Sequence, residues 1–178
     1  RCGACSALAA FESEPADLTC HSVRNDREKA EAYAISHEVF VKDQKLFEES
    51  DVDANDAVGT LLVAKKRSTI IGTVRIYPVG DREKGPWIGG RLAVRRGHRV
   101  SMAGALLVKE AMKRVKKKGC TRFTAHIQES NVPFFEKLGW KPVGSLENYV
   151  SRPHQLMEAD LGQVPEDLEL SSLRSQLE

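Results

Sequence analysis

Residues 88–111 read IGGRLAVRRGHRVSMAGALLVKEA, and this stretch decides the fold. Residues 87–94 form an apolar, strand-like run interrupted by Gly89 and Gly90. Adjacent glycines weaken a strand and mark a bulge, or a close approach by other backbone or by a ligand. The run passes into a basic turn holding Arg95, Arg96, His98 and Arg99. A helix then opens near Ser101 with the small residues Ala103, Gly104 and Ala105 and runs to about Lys118. Its buried stripe is Ala105, Leu106, Val108, Ala111, Met112 and Val115, and Gly119 closes it as a C-cap. CTRFTAHIQ at 120–128 is the next strand. A strand, helix, strand passage of this kind implies a right-handed crossover between parallel strands. A helix N-terminus with bare N–H groups beside arginines suits a phosphate. The alternative is an ordinary strand-to-helix turn with incidental arginines.

Working outward, Asn25 and Glu28 have capping-box spacing, and the periodicity after them predicts a helix over about 26–41. An acidic loop, FEESDVDAND at 47–56, follows. Two β-rich runs, 58–66 and 70–79, meet at Ser68 and Thr69 as an antiparallel hairpin. After residue 128, a short helix over 132–138 has Pro133 in its first turn and Gly139 behind it. WKPVGSLENYV (140–150) and HQLMEADL (154–161) read as two more strands, and the polar tail from Pro165 as a loose helix. The order α-β-β-β-α-β-α-β-β predicts an α/β fold of the α+β kind: a mixed, mostly antiparallel twisted sheet with helices on its faces. The expected organisation is an N-terminal lead (1–24) with Cys2, Cys5 and Cys20, one domain (25–162), and an acidic tail (163–178).

Composition narrows the function. The 178 residues suffice for one ordinary domain, and 41% hydrophobic with 29% charged residues argues against disorder. Apolar runs such as AVGTLLVA at 57–64 are far shorter than a membrane span. Four cysteines do not make a disulfide scaffold, so a reduced, cytoplasmic domain is expected, with no membrane partner. The net charge of +2 conceals segregation: −6 over 26–56, +11 over 82–122 and −5 over 155–178. A basic middle between acidic flanks suggests an anionic ligand; the alternative for Lys113 to Lys118 is the solvated end of a helix, where cations suit the dipole. No aromatic interleaving beyond Phe123 supports a nucleic-acid partner.

The segment RLAV, the basic turn and Arg99-x-x-x-x-Gly104 resemble the acetyl-CoA signature of the GNAT N-acetyltransferases, Gln/Arg-x-x-Gly-x-Gly/Ala. Asn131-Val-Pro-Phe-Phe-Glu-Lys-Leu-Gly-Trp140 resembles their second signature. The resemblance spans about 30–161. HEVFVKDQKLF, Asp53-x-x-Asp56, GTVRIYP, WIGGRLAV, NVPFFEKLGW and PHQLMEADL look, more narrowly, like the N-acetyltransferases associated with nitrogen-starvation gene clusters. Val39-Phe40, Asp53, Asp56, Arg75 and Arg91 also look like the autoinducer (acyl-homoserine-lactone) synthases.

The resemblance implies a GNAT-like sheet whose parallel strands, 87–94 and 120–128, splay apart around acetyl-CoA as cosubstrate. It implies that the pantetheine arm bonds to the backbone of Leu92, Ala93 and Val94 and to Asn131. The pyrophosphate would rest on Val100, Ser101, Met102, Ala103, Gly104 and Ala105, with Arg99 adding charge. A primary amine would attack the thioester directly in a ternary complex, served by a base and by donors to the oxyanion. Two departures stand out. Met102 replaces the first signature glycine, and Phe135 matches the usual tyrosine acid but has no proton to give. Phe135 therefore remains only as a coenzyme contact, and the alternative is a degenerate, CoA-binding sensor.

Candidate catalytic residues come from local pattern. Thr124, His126 and Gln128 share one strand face, and His126 suits acid or base work; the alternative is a histidine packed on a sheet face. Arg91 stands where many family members place a glutamate base. It takes no proton, but it binds a carboxylate or pairs with an acid. Glu129 is a further base candidate. Asp53, Asp56 and Arg75 are the substrate-side candidates: the aspartates either hold a cationic acceptor or pair with Arg75 and Arg91. Tyr149 and His154 are read as bordering the site. Cys2-x-x-Cys5 with Cys20-His21 offers zinc-like donors, but the intervening stretch carries no hairpin signal, and no metal is expected. The expected partner is a small-molecule amine. The oligomeric state is left open, with strand exchange or a shared sheet edge near 141–161 as the two routes to a homodimer.

Overall fold

A computed structural model of the chain describes residues 17–47, 50–80, 84–99, 102–149 and 152–178. Among these residues, eight strands form one sheet: β1 (Leu18–Ser22), β2 (Thr60–Lys66), β3 (Thr69–Pro78), β4 (Pro86–Val94), β5 (Arg122–Gln128), β6 (Trp140–Pro142), β7 (Glu147–Tyr149) and β8 (Arg152–Ala159). The spatial order is β1-β2-β3-β4-β5-β8-β6, with β7 also paired to β8. Every pairing is antiparallel except β4 with β5, as the strand, helix, strand passage requires. The described residues also form four α-helices: α1 (Asp26–His37), α2 (Ala103–Lys117), α3 (Val132–Lys137) and α4 (Leu170–Leu177).

Period-two alternation gives each face of the sheet its own core. Leu61 and Val63 of β2 join Ile70 and Ala93 against Ala32, Ile35, Val39 and Phe40 from α1 and the turn after it. Leu62 and Ala64, one residue out of phase, join Ile71, Trp87 and Phe123 against Leu107, Val108, Ala111 and Met112 of α2. Helices therefore cover both faces, as expected.

Four details differ from the sequence reading. Residues 18–22, assigned to the lead, pair with β2 as an edge strand; their polar LTCHS sequence hides the alternation. The first helix changes at Glu38 into a π-helix over Glu38–Asp43. The single strand expected over 140–150 is two short ones, because Gly144 turns the chain at φ 70°. The tail is anchored, since α4 places Leu173, only 2% exposed, in the main core together with Val164.

The start of α1 ties three elements together. Asn25 Oδ1 accepts from the Glu28 N–H at 2.9 Å, which is the expected cap. The Glu28 carboxylate reaches past the cap residue to accept from the Arg24 N–H (2.9 Å), from Lys65 Nζ on β2 (2.9 Å) and from His21 Nε2 on β1 (3.2 Å). The Lys65 hydrogen bond leads these partners in holding its pKa at about 2, against an ordinary 4.5. A carboxylate depressed in the folded state stabilises fully above its unfolded pKa and loses that contribution as pH falls through its folded pKa. Glu28→Gln should cost about 1.5–3 kcal/mol at pH 7, and its deficit against wild type should shrink between pH 4.5 and 2. Urea unfolding across that range checks it; a deficit independent of pH would contradict it.

Candidate active site

β4 and β5 pair only from Pro86↔Arg122 to Ile88↔Thr124. A Cβ on Gly89, the next residue, would lie 3.0 and 3.1 Å from ring atoms of Phe123. Phe123 is itself packed on Trp140 at 5.1 Å between centroids. The missing side chain at 89 is what admits that ring. Two residues further on, β4 bulges: Thr73 pairs with Ala93 and Arg75 with Gly90, leaving Arg91 and Leu92 opposite Val74. Arg91 carries the bulge at φ 54°. A bulge bends its strand, and beyond Ile88↔Thr124 the edge of β4 that faces β5 has no ladder partner, so its backbone donors and acceptors come free where the two parallel strands separate.

The separation opens a cavity lined from both sides of the sheet. On the α2 side its wall includes Val108, Ala125, Ile127, Phe135 and Trp140. On the α1 side it includes Phe47, Tyr77, Arg91, His126, Tyr149 and His154. A strap after the π-helix roofs the second side. Gln44 Oε1 accepts from Gln128 Nε2 at 2.8 Å, and the Gln44 carbonyl accepts from Arg152 at 2.7 Å. These bonds hold Leu46 and Phe47 over the opening.

Four charges stand behind the strap. Arg75, 5% exposed, donates to Asp53 at 2.8 and 3.1 Å and to Asp56 at 3.0 Å. Asp53 and Asp56 also cap the 3-10 turn Ala54–Asp56 reciprocally. Burial acts to raise the Asp53 carboxyl, but the hydrogen bonds from Arg75 and the Asn55 N–H outweigh it and the pKa falls. Arg91 Nη2 reaches Asp53 at 3.3 Å, and its guanidinium lies 4.2 Å from the Phe47 ring centroid. Of the two readings of the aspartates, pairing is what the structure has.

The predicted residues divide by position. Leu92, Asn131 and Phe135 line the cavity. Phe135 is 5% exposed and meets Trp140 edge-on at 5.5 Å. Ala93 is buried on the α1 side, and the Val94 carbonyl accepts from Arg99 Nε at 3.3 Å. Arg99 also pairs with Asp43 at 3.0 Å, and Arg96 with the same carboxylate at 3.5 Å. Met102 is the N-cap of α2 and supplies no side-chain hydrogen bond; Ala103, Gly104 and Ala105 form the first turn. Val100 and Ser101 lie outside the described residues. His126 is exposed at the rim, stacked on Tyr149 at 4.8 Å with the rings 2° from parallel. Glu129 is exposed and is not part of the cavity wall. Tyr77, Phe47 and Gln44 escaped the sequence reading. Tyr77 had a signal, two residues beyond Arg75 on one strand; the strap residues act through contacts no local pattern encodes.

Of the zinc-like set, only Cys20 and His21 lie among the described residues, and they face different neighbours. Cys2 and Cys5 lie outside the described residues. Cys20 packs toward the α2 core while His21, its neighbour on β1, turns to Glu28. Burial pushes the Cys20 thiol up to about 12, opposite to what a thiolate ligand needs. Among the described residues no group of three or more His, Cys, Asp or Glu is placed to hold a metal. No helix among them is long and apolar enough to cross a membrane. The lysines ending α2 are exposed from Lys116 on, at the negative end of the helix dipole.

A mixed, mostly antiparallel sheet whose one parallel pair parts beyond Ile88↔Thr124 is the fold of the GNAT acetyltransferases. The chain belongs to the acetyltransferase (GNAT) family, whose sequence model matches residues 21–140, and its activity class is that of an N-acetyltransferase. It is 25% identical over 124 residues to the uncharacterized N-acetyltransferase YjcF of Bacillus subtilis, covering 70% of this chain and 86% of that one. Its fold is similar to that of Escherichia coli ElaA, with a TM-score of 0.71 at 17% identity over 80% of this chain and 99% of the other. It is also similar to Arabidopsis thaliana Naa50 in complex with the bisubstrate analogue CoA-Ac-MVNAL. There the TM-score is 0.63 at 15% identity, covering 81% of this chain and 99% of the other.

The glycine pair separates packing from access. Gly89→Val should destabilise by about 1–3 kcal/mol through collision with Phe123. Gly90→Val should cost less, because nothing lies within 4 Å of its added Cβ. Denaturant midpoints of the two variants check this; equal losses would contradict it.

Proposed function

We propose that the chain transfers acetyl from acetyl-CoA to a primary amine by direct attack in a ternary complex. The observation that carries this is the cavity at the parting of β4 and β5, walled from both sides of the sheet. A thioester laid along Leu92 to Val94 would meet backbone groups on the edge of β4 that faces β5, which has no ladder partner beyond Ile88↔Thr124. Asn131 would bond the pantetheine arm, and the first turn of α2, from Met102 to Ala105, would take the pyrophosphate. The same role is proposed for Val100 and Ser101. Arg99 adds its charge from a surface pair with Asp43, where exposure keeps the bond weak enough to exchange.

The amine enters from the α1 side, under the strap. Naa50, bound to an analogue joining CoA to a peptide, supports an amine acceptor of this kind. Of the catalytic candidates, His126 lines the cavity and Glu129 does not. Arg91 takes no proton and sets a positive wall beside the reacting carbonyl. With Asp53, Asp56 and Arg75 bonded to one another, their contribution to the substrate is to fix that wall. Asp53, Asp56, Arg75 and Arg91, with Val39-Phe40, are also the residues on which the resemblance to autoinducer synthases rests; that reading requires a longer acyl donor and S-adenosylmethionine as acceptor. A domain that binds CoA without turnover is favoured by Phe135, which offers no acid to the thiolate.

A CoA-thioester donor and the free thiols Cys20 and Cys120 support a cytoplasmic setting. Saturating acetyl-CoA should raise the melting temperature by about 5 °C. Free thiol should appear when the enzyme and acetyl-CoA meet a panel of alkylamines, polyamines, amino acids and peptides. Binding without thiol release across the panel supports the sensor reading. Absence of binding by any CoA species at millimolar concentration overturns the proposal.

A further inference from the structure

We infer that His154, rather than His126, is the general base of the reaction. This rests on the acetyl-transfer reading above and adds the identity of the group that takes the amine's proton.

Three observations carry it. His154 is 5% exposed, yet it belongs to the cavity wall, so it sits out of bulk water and beside the reaction space. Its Nδ1 lies 2.9 Å from the Arg152 carbonyl oxygen. A carbonyl only accepts, so Nδ1 carries the hydrogen and Nε2 is left with the lone pair. The ring is also held in place: Tyr149 meets it edge-on at 5.3 Å, and Gln128 lies opposite it across the β5–β8 ladder. His126, by contrast, is exposed and stacked flat on Tyr149; among the described residues no hydrogen bond fixes its tautomer. Its geometry suits a positioning residue that keeps Tyr149 against His154.

The step balances as follows. His154 Nε2 takes one proton from the substrate ammonium and becomes imidazolium. The freed nitrogen lone pair forms the C–N bond at the thioester carbonyl carbon. The tetrahedral intermediate collapses with cleavage of the C–S bond, and the second proton lost by nitrogen passes to the thiolate directly or through water. The imidazolium returns its proton to solvent. The products are the acetamide, CoA thiol and one released proton. Ionisable groups around the ring are Glu147 and Tyr149 on β7, His126 on β5, Arg152 on its own strand, and Arg91 across the cavity.

The test uses the full-length protein, acetyl-CoA, and whichever primary amine of the panel turns over best. His154→Gln should bind acetyl-CoA within about threefold of wild type yet lose roughly 100-fold or more in kcat/KM at pH 7. The loss should shrink as pH rises and free amine accumulates, which a purely structural defect would not produce. His126→Gln should show a smaller loss with no such pH trend. Ring 15N spectra of the free enzyme should show His154 as the Nδ1–H tautomer, a readout that needs no substrate. His154→Gln with near-wild-type turnover, a pH-independent loss, or the pH-tilted loss appearing in His126→Gln instead would overturn the assignment alone. Failure of wild type to bind acetyl-CoA or to release thiol would overturn the acetyl-transfer reading and the assignment with it.

Discussion

β4 and β5 hold each other for three residue pairs and then part, and the rest of the molecule is arranged around that parting. A parallel pair buried between helices ordinarily continues, because every broken rung leaves polar backbone in an apolar setting. Here the Phe123 ring occupies the place of a side chain at Gly89, and the bulge at Arg91 and Leu92 turns β4 away. The unpaired backbone is tolerable if a ligand, rather than a strand, completes it. The same bulge, with Arg91 at positive φ, puts that residue's guanidinium over Phe47 and within reach of Asp53. One local irregularity thus makes the opening and furnishes its wall.

The charge segregation acquires a spatial meaning. The acidic stretch that follows α1 does not face away from the basic centre; it lies against it. Asp43 meets Arg96 and Arg99, while Asp53 and Asp56 meet Arg75 and Arg91. The two sets differ in burial. Arg75 is enclosed and bonded to both aspartates, which makes it a structural charge whose loss would strand its partners. Arg99 is a surface cation bonded to Asp43 and to the Val94 carbonyl, and its exposure makes that ion pair the weaker one. The net of +2 is a small remainder of two complementary surfaces already in contact.

Much of the architecture was legible because it rests on periodicity and short-range chemistry. The crossover from β4 to β5, the Asn25 cap, the β2–β3 hairpin and the Gly89–Gly90 signal each depend on a few neighbouring residues. The edge strand Leu18–Ser22 was not legible, because its partner Lys66 to Leu62 is distant and its own sequence is polar. The site was half legible. His126 and Arg91 follow from strand position, but the strap fixed by Gln44 joins residues 84 and 108 positions apart. The orientation of His154 depends on a carbonyl two residues before it and on a ring across a strand pair. Neither leaves a pattern in the chain.

The central claim is that a coenzyme thioester completes the broken β4–β5 ladder. A crystal structure of the protein with bound acetyl-CoA tests it most directly. The account predicts the pantetheine arm between the two strands, bonded to backbone from Leu92 to Val94, with the pyrophosphate at the start of α2 and the thioester facing the cavity side of His154. Coenzyme bound elsewhere on the sheet, or β4 and β5 closing to pair beyond Ile88↔Thr124 with the cavity gone, would contradict it.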